Sequence, residues 1–134
     1  MRAAPLLGLS MALAVSSGRM FKTYWFDAER RCIAMGGNLA SIRSTREYNQ
    51  IRKLVRKASG RNLNVWVGGH DAVHEGVWLW SDGSKFTFGG WARGEPNNHG
   101  GKEHCMEMNF RGQNYVNDIK CLDAQTFVCS SSLE

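Results

Sequence analysis

The chain has 134 residues, with a formal net charge of +5, five Trp, fifteen Gly and four Cys. This length predicts one domain with a modest core, and the many Gly and Trp favour a loop-rich fold with strands over a helical bundle. The four cysteines form no C-x-x-C or finger-like spacing, which argues against a zinc finger and favours disulfides, with three pairings open.

The N-terminus predicts export. Arg2 precedes an apolar run over 3–15 that ends in small residues at 16–18, as in a signal peptide. The run is too short to span a bilayer, and its alternative is a buried N-terminal strand or helix. We expect 1–18 to be a signal peptide or an abbreviated N-terminal segment, 19–130 the domain and 131–134 a tail. The protein is expected to be secreted and extracellular.

Two helices are predicted next. Apolar residues recur at three- and four-residue steps over 23–35, with Thr23 as a plausible N-cap and glycines at the end. A capping box from Ser44 to Glu47 opens a second helix, which runs to about residue 58 and stops at Gly60.

Basic residues surround the second helix. A solvated face is the favoured interpretation, and a patch for sulfated sugars or anionic lipid is the alternative. No nucleic-acid motif accompanies these residues. The cluster comprises Arg43, Arg46, Arg52, Lys53, Arg56, Lys57 and Arg61.

Short strands are predicted at 65–69, 77–80, 105–110, 114–117 and 126–129. Between 83 and 105 the chain is Gly-rich, which predicts a long loop that Phe86, Phe88 and Trp91 could anchor. Long loops in compact domains are usually functional or disordered, and the aromatic anchors favour function. Two helices followed by strands predict an α+β fold.

Five oxygen-bearing side chains lie in and just after this loop. Carboxylate and amide oxygens are the ligands that Ca²⁺ prefers, and an amide that binds the ion keeps N–H donors for a second ligand. Such a site suits a hydroxyl-rich ligand, a sugar. The five residues are Glu95, Asn97, Glu103, Asn117 and Asp118.

The sequence resembles the C-type lectin-like domain family over about 21–129. Glu95-Pro96-Asn97 is similar to that family's EPN motif, and Val116-Asn117-Asp118 is similar to its WND motif with Val in place of Trp. Val65-Trp66-Val67-Gly68-Gly69 is similar to the WIGL strand. The runs 25–32 and 37–42 are similar to the first helix and the turn after it.

The resemblance implies two helices packed on short antiparallel sheets, with a long Ca²⁺-binding loop. It implies the disulfides Cys32–Cys129 and Cys105–Cys121 and a cis Glu95–Pro96 bond. It also implies that the five residues bind Ca²⁺ and contact the sugar, with Asp118 adding its backbone carbonyl. His99 either packs against the sugar or is a loop histidine without contacts.

The family's EPN form implies a preference for mannose, fucose and N-acetylglucosamine, whereas its QPD form favours galactose. We therefore expect a secreted, Ca²⁺-dependent, mannose-type lectin whose partners are glycans and which could form a homo-oligomer. The alternative is a protein-interaction or ice-binding member of the same fold. No nucleic acid, membrane span or enzyme activity is expected.

Two further positions bear on metal binding. Asp71 and Glu75 match two carboxylates of the family's second Ca²⁺ site, but Asn98 and His104 stand at its other two positions. The loss of two charges predicts that this second site is empty or weak. Val116 leaves less packing beneath the first site than Trp would, which predicts lower affinity for Ca²⁺ unless neighbouring side chains fill the space.

Overall fold

The computed structural model describes residues 2–5, 11–16, 19–91, 94–109 and 116–131. Two α-helices, nine strands and one short 3-10 turn (His99–Gly101) lie in these ranges. The helices are α1 (Trp25–Ala34) and α2 (Thr45–Ser59). The strands are β1 (Arg2–Pro5), β2 (Met11–Ser16), β3 (Arg19–Met20), β4 (Gly37–Leu39), β5 (Val65–His70), β6 (Leu79–Trp80), β7 (Glu103–Met108), β8 (Val116–Lys120) and β9 (Thr126–Ser131). The α+β prediction is confirmed.

Both helices begin close to their predicted starts. The Ser44 side chain accepts a hydrogen bond from the Glu47 N–H, which satisfies one of the free donors at the start of α2, and the Glu47 carboxylate accepts one from the Arg43 N–H just before the helix. Gly60 ends α2 in the left-handed region with φ of 81°, a conformation that glycine adopts without a steric penalty. In α1, Thr23 does not cap the backbone; its hydroxyl donates to Asp27 instead, at 2.8 Å.

The strands form one sheet in the order β1-β2-β9-β5-β7-β8, with β3 on β2, β4 on β9 and β6 on β5. All named pairs are antiparallel except β5 with β9, which run parallel from Val65 opposite Thr126. The parallel pair differs from the purely antiparallel expectation, because β9 returns from the far end of the chain to the centre of the sheet.

The N-terminal segment enters this sheet. β2 pairs with β9 from Met11 opposite Ser130 to Leu13 opposite Val128, and β1 pairs with β2. The usual opening strand of the family that the sequence resembles is not recognisable before Phe21, but the structure forms strands here, in agreement with the alternative of an N-terminal strand. The short predicted strand at 114–117 corresponds to β8, which begins at Val116; Asn114 and Tyr115 lie outside the described residues, as does Phe110.

The core has two parts, one on each side of the central strands. α2 packs its Tyr48, Ile51 and Val55 side chains into a cluster with Met106 and Met108. α1 packs into a second cluster, whose members include Trp25, Ala28, Trp66 and Phe127. The indole N–H groups of Trp25 and Trp66 donate to the Val67 and Thr23 carbonyls, both at 2.9 Å, which satisfies two buried donors.

Both disulfides that the resemblance implies are present in the structure. Cys32–Cys129 ties α1 to β9, with 5.4 Å between the Cα atoms. Cys105–Cys121 ties β7 to the end of β8, with 5.2 Å between the Cα atoms. The second bridge closes the segment that contains the candidate residues of β8.

The long loop is anchored by its aromatic residues, as the sequence predicted. Phe86 stacks on Trp80 with 4.7 Å between ring centroids, and Phe88 stacks on Tyr48 at 5.8 Å. Trp91 meets Trp78 edge to face at 4.8 Å. These contacts anchor the part of the loop from Phe86 to Trp91, which precedes Glu95. No helix among the described residues is long and apolar enough to cross a membrane.

Candidate metal centre in the long loop

The turn at Glu95 places two predicted ligands side by side. The Glu95–Pro96 peptide bond is cis, in agreement with the resemblance. The Asn97 N–H donates to Glu95 Oε1 at 3.2 Å, and Asn97 Nδ2 lies 3.4 Å from Glu95 Oε2. The carboxylate and the amide therefore lie next to each other on the exposed side of the loop.

Asp118 holds this turn against the sheet. Its carboxylate is fully buried and accepts hydrogen bonds from the Asn97 N–H at 3.1 Å and the Asn98 N–H at 2.7 Å. A buried carboxylate without partners would be costly, so these two donors explain how the charge is tolerated. The same contacts join two parts of the predicted ligand set that are about twenty residues apart.

Glu103 closes the cluster from the start of β7. Its Oε1 accepts from the His99 N–H at 3.0 Å, and its own N–H donates to Asn98 Oδ1, also at 3.0 Å. The His99 N–H also lies 3.2 Å from Asn97 Oδ1. The backbone N–H of His99 is thus held by the cluster, and His99 is exposed beside the turn.

Asn117 is placed differently from the other four predicted ligands. Asn117 lies opposite Glu107 in the pairing of β7 with β8, and its Nδ2 donates to Glu107 Oε2 at 2.9 Å. With its nitrogen bonded to Glu107, the Oδ1 of Asn117 is the atom left to accept a cation.

The cluster concentrates negative charge. Burial raises the pKa of Glu95 to about 7, and a hydrogen bond to Asp118 and the charges of Asp118 and Glu103 act in the same direction. Close carboxylates cannot all ionise easily, and a bound cation removes that repulsion. Each carboxylate offers about four lone-pair positions, so the backbone N–H groups leave acceptor capacity for an ion.

The donor set fits Ca²⁺ in chemistry, since it consists of carboxylate and amide oxygens. The carboxylate oxygens of Glu95, Glu103 and Asp118 do not all lie within 4.8 Å of one another. Among the described residues, the group of three acidic or His side chains whose ligand atoms all lie within 4.8 Å is Asp71, Glu75 and His104. Calcium binding by Glu95, Asn97, Glu103 and Asp118 would draw their oxygens closer together.

Val116 forms part of the floor beneath this cluster. It is 1% exposed, lies opposite Met108 and bridges to Trp91 across the base of the loop. Met106, on the same face as Met108, belongs to the same buried cluster. Flexible methionines can fill irregular gaps, and both pack in the buried cluster that contains Val116.

Sequence reasoning missed two residues that organise the site. Asn98 adopts a left-handed conformation with φ of 45° and bonds both Asp118 and Glu103; an Asn just after a proline turn is a known signal for this conformation. Glu107 is 1% exposed and accepts from both Asn117 and Asn64. The signal for Glu107 was a charged residue on the same strand face as Cys105.

Comparison with known proteins identifies the family. Residues 22–131 match the family described as Lectin C-type domain. The galactose-specific lectin nattectin of Thalassophryne nattereri is 50% identical over 109 residues, covering 81% of this chain and 68% of that protein. The lactose-binding lectin l-2 of Anguilla japonica is 46% identical over 105 residues, covering 75% of this chain and 61% of that protein. Ladderlectin of Oncorhynchus mykiss is 45% identical over 97 residues, covering 72% of this chain and about half, 51%, of that relative.

Solved structures show the same fold. The herring type II antifreeze protein superposes with a TM-score of 0.80 at 26% identity, covering 93% of each chain. Human lithostathine superposes with a TM-score of 0.77 at 29% identity, covering 91% of this chain and 92% of that one. The family model and the relatives named as galactose-specific and lactose-binding lectins confirm the prediction that the chain is not an enzyme. The chain therefore belongs to the C-type lectin domain family.

Proposed function

We propose that this chain is a secreted lectin that binds carbohydrate through a Ca²⁺ ion held by Glu95, Asn97, Glu103, Asn117 and Asp118. The observation that carries the proposal is the crowding of carboxylates around the loop, where Asp118 accepts from the Asn97 and Asn98 N–H groups and Glu103 accepts from the His99 N–H. A cation would relieve that crowding. Sugar hydroxyls would then occupy the coordination positions of the ion that the protein leaves open. The relatives named as galactose-specific and lactose-binding lectins support the carbohydrate class.

The proposed sugar class is mannose-type. It is supported by Glu95 and Asn97, which lie side by side with Asn97 Nδ2 3.4 Å from Glu95 Oε2. An ionised Glu supplies only acceptors, whereas Asn supplies donors and an acceptor, so the two sides of the ion differ. In this order the pair corresponds to the EPN form, which favours neighbouring equatorial hydroxyls.

The second candidate is a galactose-type preference, which the names of the two relatives at 50% and 46% identity favour. The experiment is inhibition of binding to immobilised glycans by free mannose and free galactose, with Ca²⁺ and with chelator. Stronger inhibition by mannose supports the first candidate, and stronger inhibition by galactose supports the second. Binding that survives the chelator contradicts Ca²⁺ dependence in both.

A non-sugar role on this fold is the third candidate, because the herring antifreeze protein shares the fold at 26% identity. A protein of that kind would show thermal hysteresis or protein binding without retention on any sugar column. An anionic-surface role has separate support from α2, where Arg46, Lys53 and Lys57 are exposed on one face. Binding of that kind would fall steeply with salt and would ignore the chelator.

Secretion is supported by the apolar N-terminal run and by the two disulfides, which persist in oxidising compartments. Cleavage after residue 18 would remove β1 and β2 and open the edge of β9 that pairs with Met11, Ala12 and Leu13. An open strand edge is a template for pairing with a second chain, so we propose that the cleaved form associates into a homo-oligomer. N-terminal sequencing and light scattering of the secreted protein test both steps.

A further inference from the structure

A second cluster of metal-binding side chains lies outside the Glu95 site. Asp71 directly follows β5 and is 2% exposed, Glu75 lies in the turn after it, and His104 is the second residue of β7. His104 Nδ1 is 3.0 Å from Asp71 Oδ1 and 3.2 Å from Glu75 Oε1. The three ligand atoms all lie within 4.8 Å of one another.

The backbone holds this cluster in place. The Asp71 N–H donates to the His104 carbonyl at 3.0 Å, which joins the end of β5 to β7. The second carboxylate oxygen of Asp71 accepts from the Gly76 N–H at 2.9 Å, so its orientation is fixed by a group outside the cluster. Such outer contacts orient ligands and raise metal affinity.

The ligand chemistry does not suit Ca²⁺. Calcium takes six to eight oxygen ligands, and here one of the three donors is an imidazole nitrogen. Imidazole together with carboxylate suits Zn²⁺, whose bonds of about 2.0–2.2 Å in a tetrahedron place neighbouring ligand atoms about 3.3 Å apart. The observed 3.0 Å and 3.2 Å separations at His104 are close to that value.

We propose that Asp71, Glu75 and His104 bind one divalent transition metal, of which Zn²⁺ suits the ligands best. Three protein ligands leave a fourth position open to water or to an oxygen or nitrogen of a bound molecule. Access to the cluster is available, because the side chains of His104 and Glu75 are 33% and 52% exposed. This site is separate in metal and in ligand type from the proposed Ca²⁺ site, although His104 directly follows Glu103 in the chain.

The test is titration of the tag-free protein with Zn²⁺, followed by calorimetry, in the presence of saturating Ca²⁺. Cobalt(II) is then added as a spectroscopic probe, because tetrahedral coordination by nitrogen and oxygen gives much stronger visible absorption than octahedral, water-bound cobalt. We expect one Zn²⁺ per chain and cobalt absorption that Zn²⁺ abolishes. No saturable Zn²⁺ binding would overturn the proposal and would leave the cluster as a histidine–carboxylate ion pair.

Three variants locate the metal. His104→Gln keeps the size and polarity of the side chain but should weaken Zn²⁺ binding by at least about tenfold, since even outer-shell partners contribute about 10–100-fold. His104→Asp should also lose Zn²⁺ and gain affinity for Ca²⁺, because it restores an oxygen ligand. His74→Ala is the matched control: the ring of this exposed histidine lies 3.1 Å from the Glu75 carbonyl and is outside the group of three ligands, so the variant should keep full Zn²⁺ affinity.

Circular dichroism of each variant checks that the fold is retained. A folded His104→Gln variant that binds Zn²⁺ as tightly as the wild type would overturn the assignment. Loss of binding in His74→Ala, with His104→Gln unaffected, would move the metal elsewhere and would overturn it as well. Retention on a sugar column is measured in parallel, and its presence or absence tests the proposed Ca²⁺ site independently of Zn²⁺.

Discussion

Calcium affinity should depend on pH well above the usual range for carboxylates, because of Glu95. Burial and the neighbouring Asp118 raise the pKa of Glu95 from 4.5 to about 7. A protonated Glu95 cannot bind the ion, so protons compete with Ca²⁺ at this side chain. With a pKa of about 7, the apparent Kd for Ca²⁺ should rise about tenfold between pH 8 and pH 6. With a pKa of 4.5, it would change by only a few per cent over the same range.

The assay is calorimetric titration with Ca²⁺ at pH 8, 7 and 6 at constant ionic strength. Two controls separate Glu95 from nearby histidines. Glu95→Gln should bind Ca²⁺ more weakly but with little pH dependence in this range, since the titrating group is gone. His99→Gln should keep the wild-type slope, since the structure shows only backbone contacts between His99 and the cluster. A wild-type Kd that is flat from pH 8 to pH 6 would refute the reasoning.

The raised pKa of Glu95 also affects the stability of the protein without Ca²⁺, and in the opposite direction: Ca²⁺ affinity should rise with pH, whereas the stability of the Ca²⁺-free protein should fall. A carboxyl whose pKa is higher in the native state than in the unfolded state binds its proton more tightly when folded. The stabilisation from Glu95 is therefore complete below about pH 4.5 and is lost as the pH rises to about 7. Added Ca²⁺ should reverse this contribution, because the ion binds the ionised native form. Melting temperatures of wild type and Glu95→Gln, with chelator and with Ca²⁺, measure the difference.

The remaining predictions concern specificity and packing. Glu95→Gln combined with Asn97→Asp should exchange the inhibition rank of mannose and galactose, and an unchanged rank with Ca²⁺ still bound would contradict the proposed basis of selectivity. Val116→Trp should lower the free energy of unfolding by about 1–3 kcal/mol in urea titration, since Val116 is 1% exposed and already packs in one cluster with Met108 and Trp91. Equal or greater stability of the variant would show that there is unfilled space around Val116 and would contradict this prediction. Glu107→Gln should lower the free energy of unfolding by about 1–3 kcal/mol, because one of the two Asn side chains that donate to Glu107 loses its acceptor. The substitution Asp123→Asn, at an exposed residue, is the control, and equal losses of stability in the two variants would contradict the role of Glu107.

Local sequence patterns were sufficient to predict the two helices and the aromatic side chains that anchor the long loop. The start of α2 follows from Ser44 and Glu47, which satisfy free N–H groups within one turn, and its end follows from Gly60, which adopts a positive φ. The aromatic residues of the loop were expected to anchor it, and Phe86, Phe88 and Trp91 each pack on another aromatic ring. Interactions of this kind depend on neighbours in the chain or on large apolar side chains that must be buried.

Strand register decided what the sequence could not. The sequence placed Asn117 beside Asp118 as an equal ligand, but the pairing of β7 with β8 sets Asn117 opposite Glu107 and commits its amide nitrogen there. The parallel pairing of β5 with β9 likewise joins segments about sixty residues apart, and no local pattern encodes it.

The Asp71, Glu75 and His104 cluster combines both kinds of information. The resemblance of the sequence to the family predicted that His104 stands where a carboxylate is usual and that Ca²⁺ would bind weakly there. Only the tertiary structure showed that the His104 ring lies between the two remaining carboxylates, because the end of β5 is bonded to the start of β7. Residue type fixes which ions a side chain can bind, whereas the distance between donors more than thirty residues apart is set by how the strands pair.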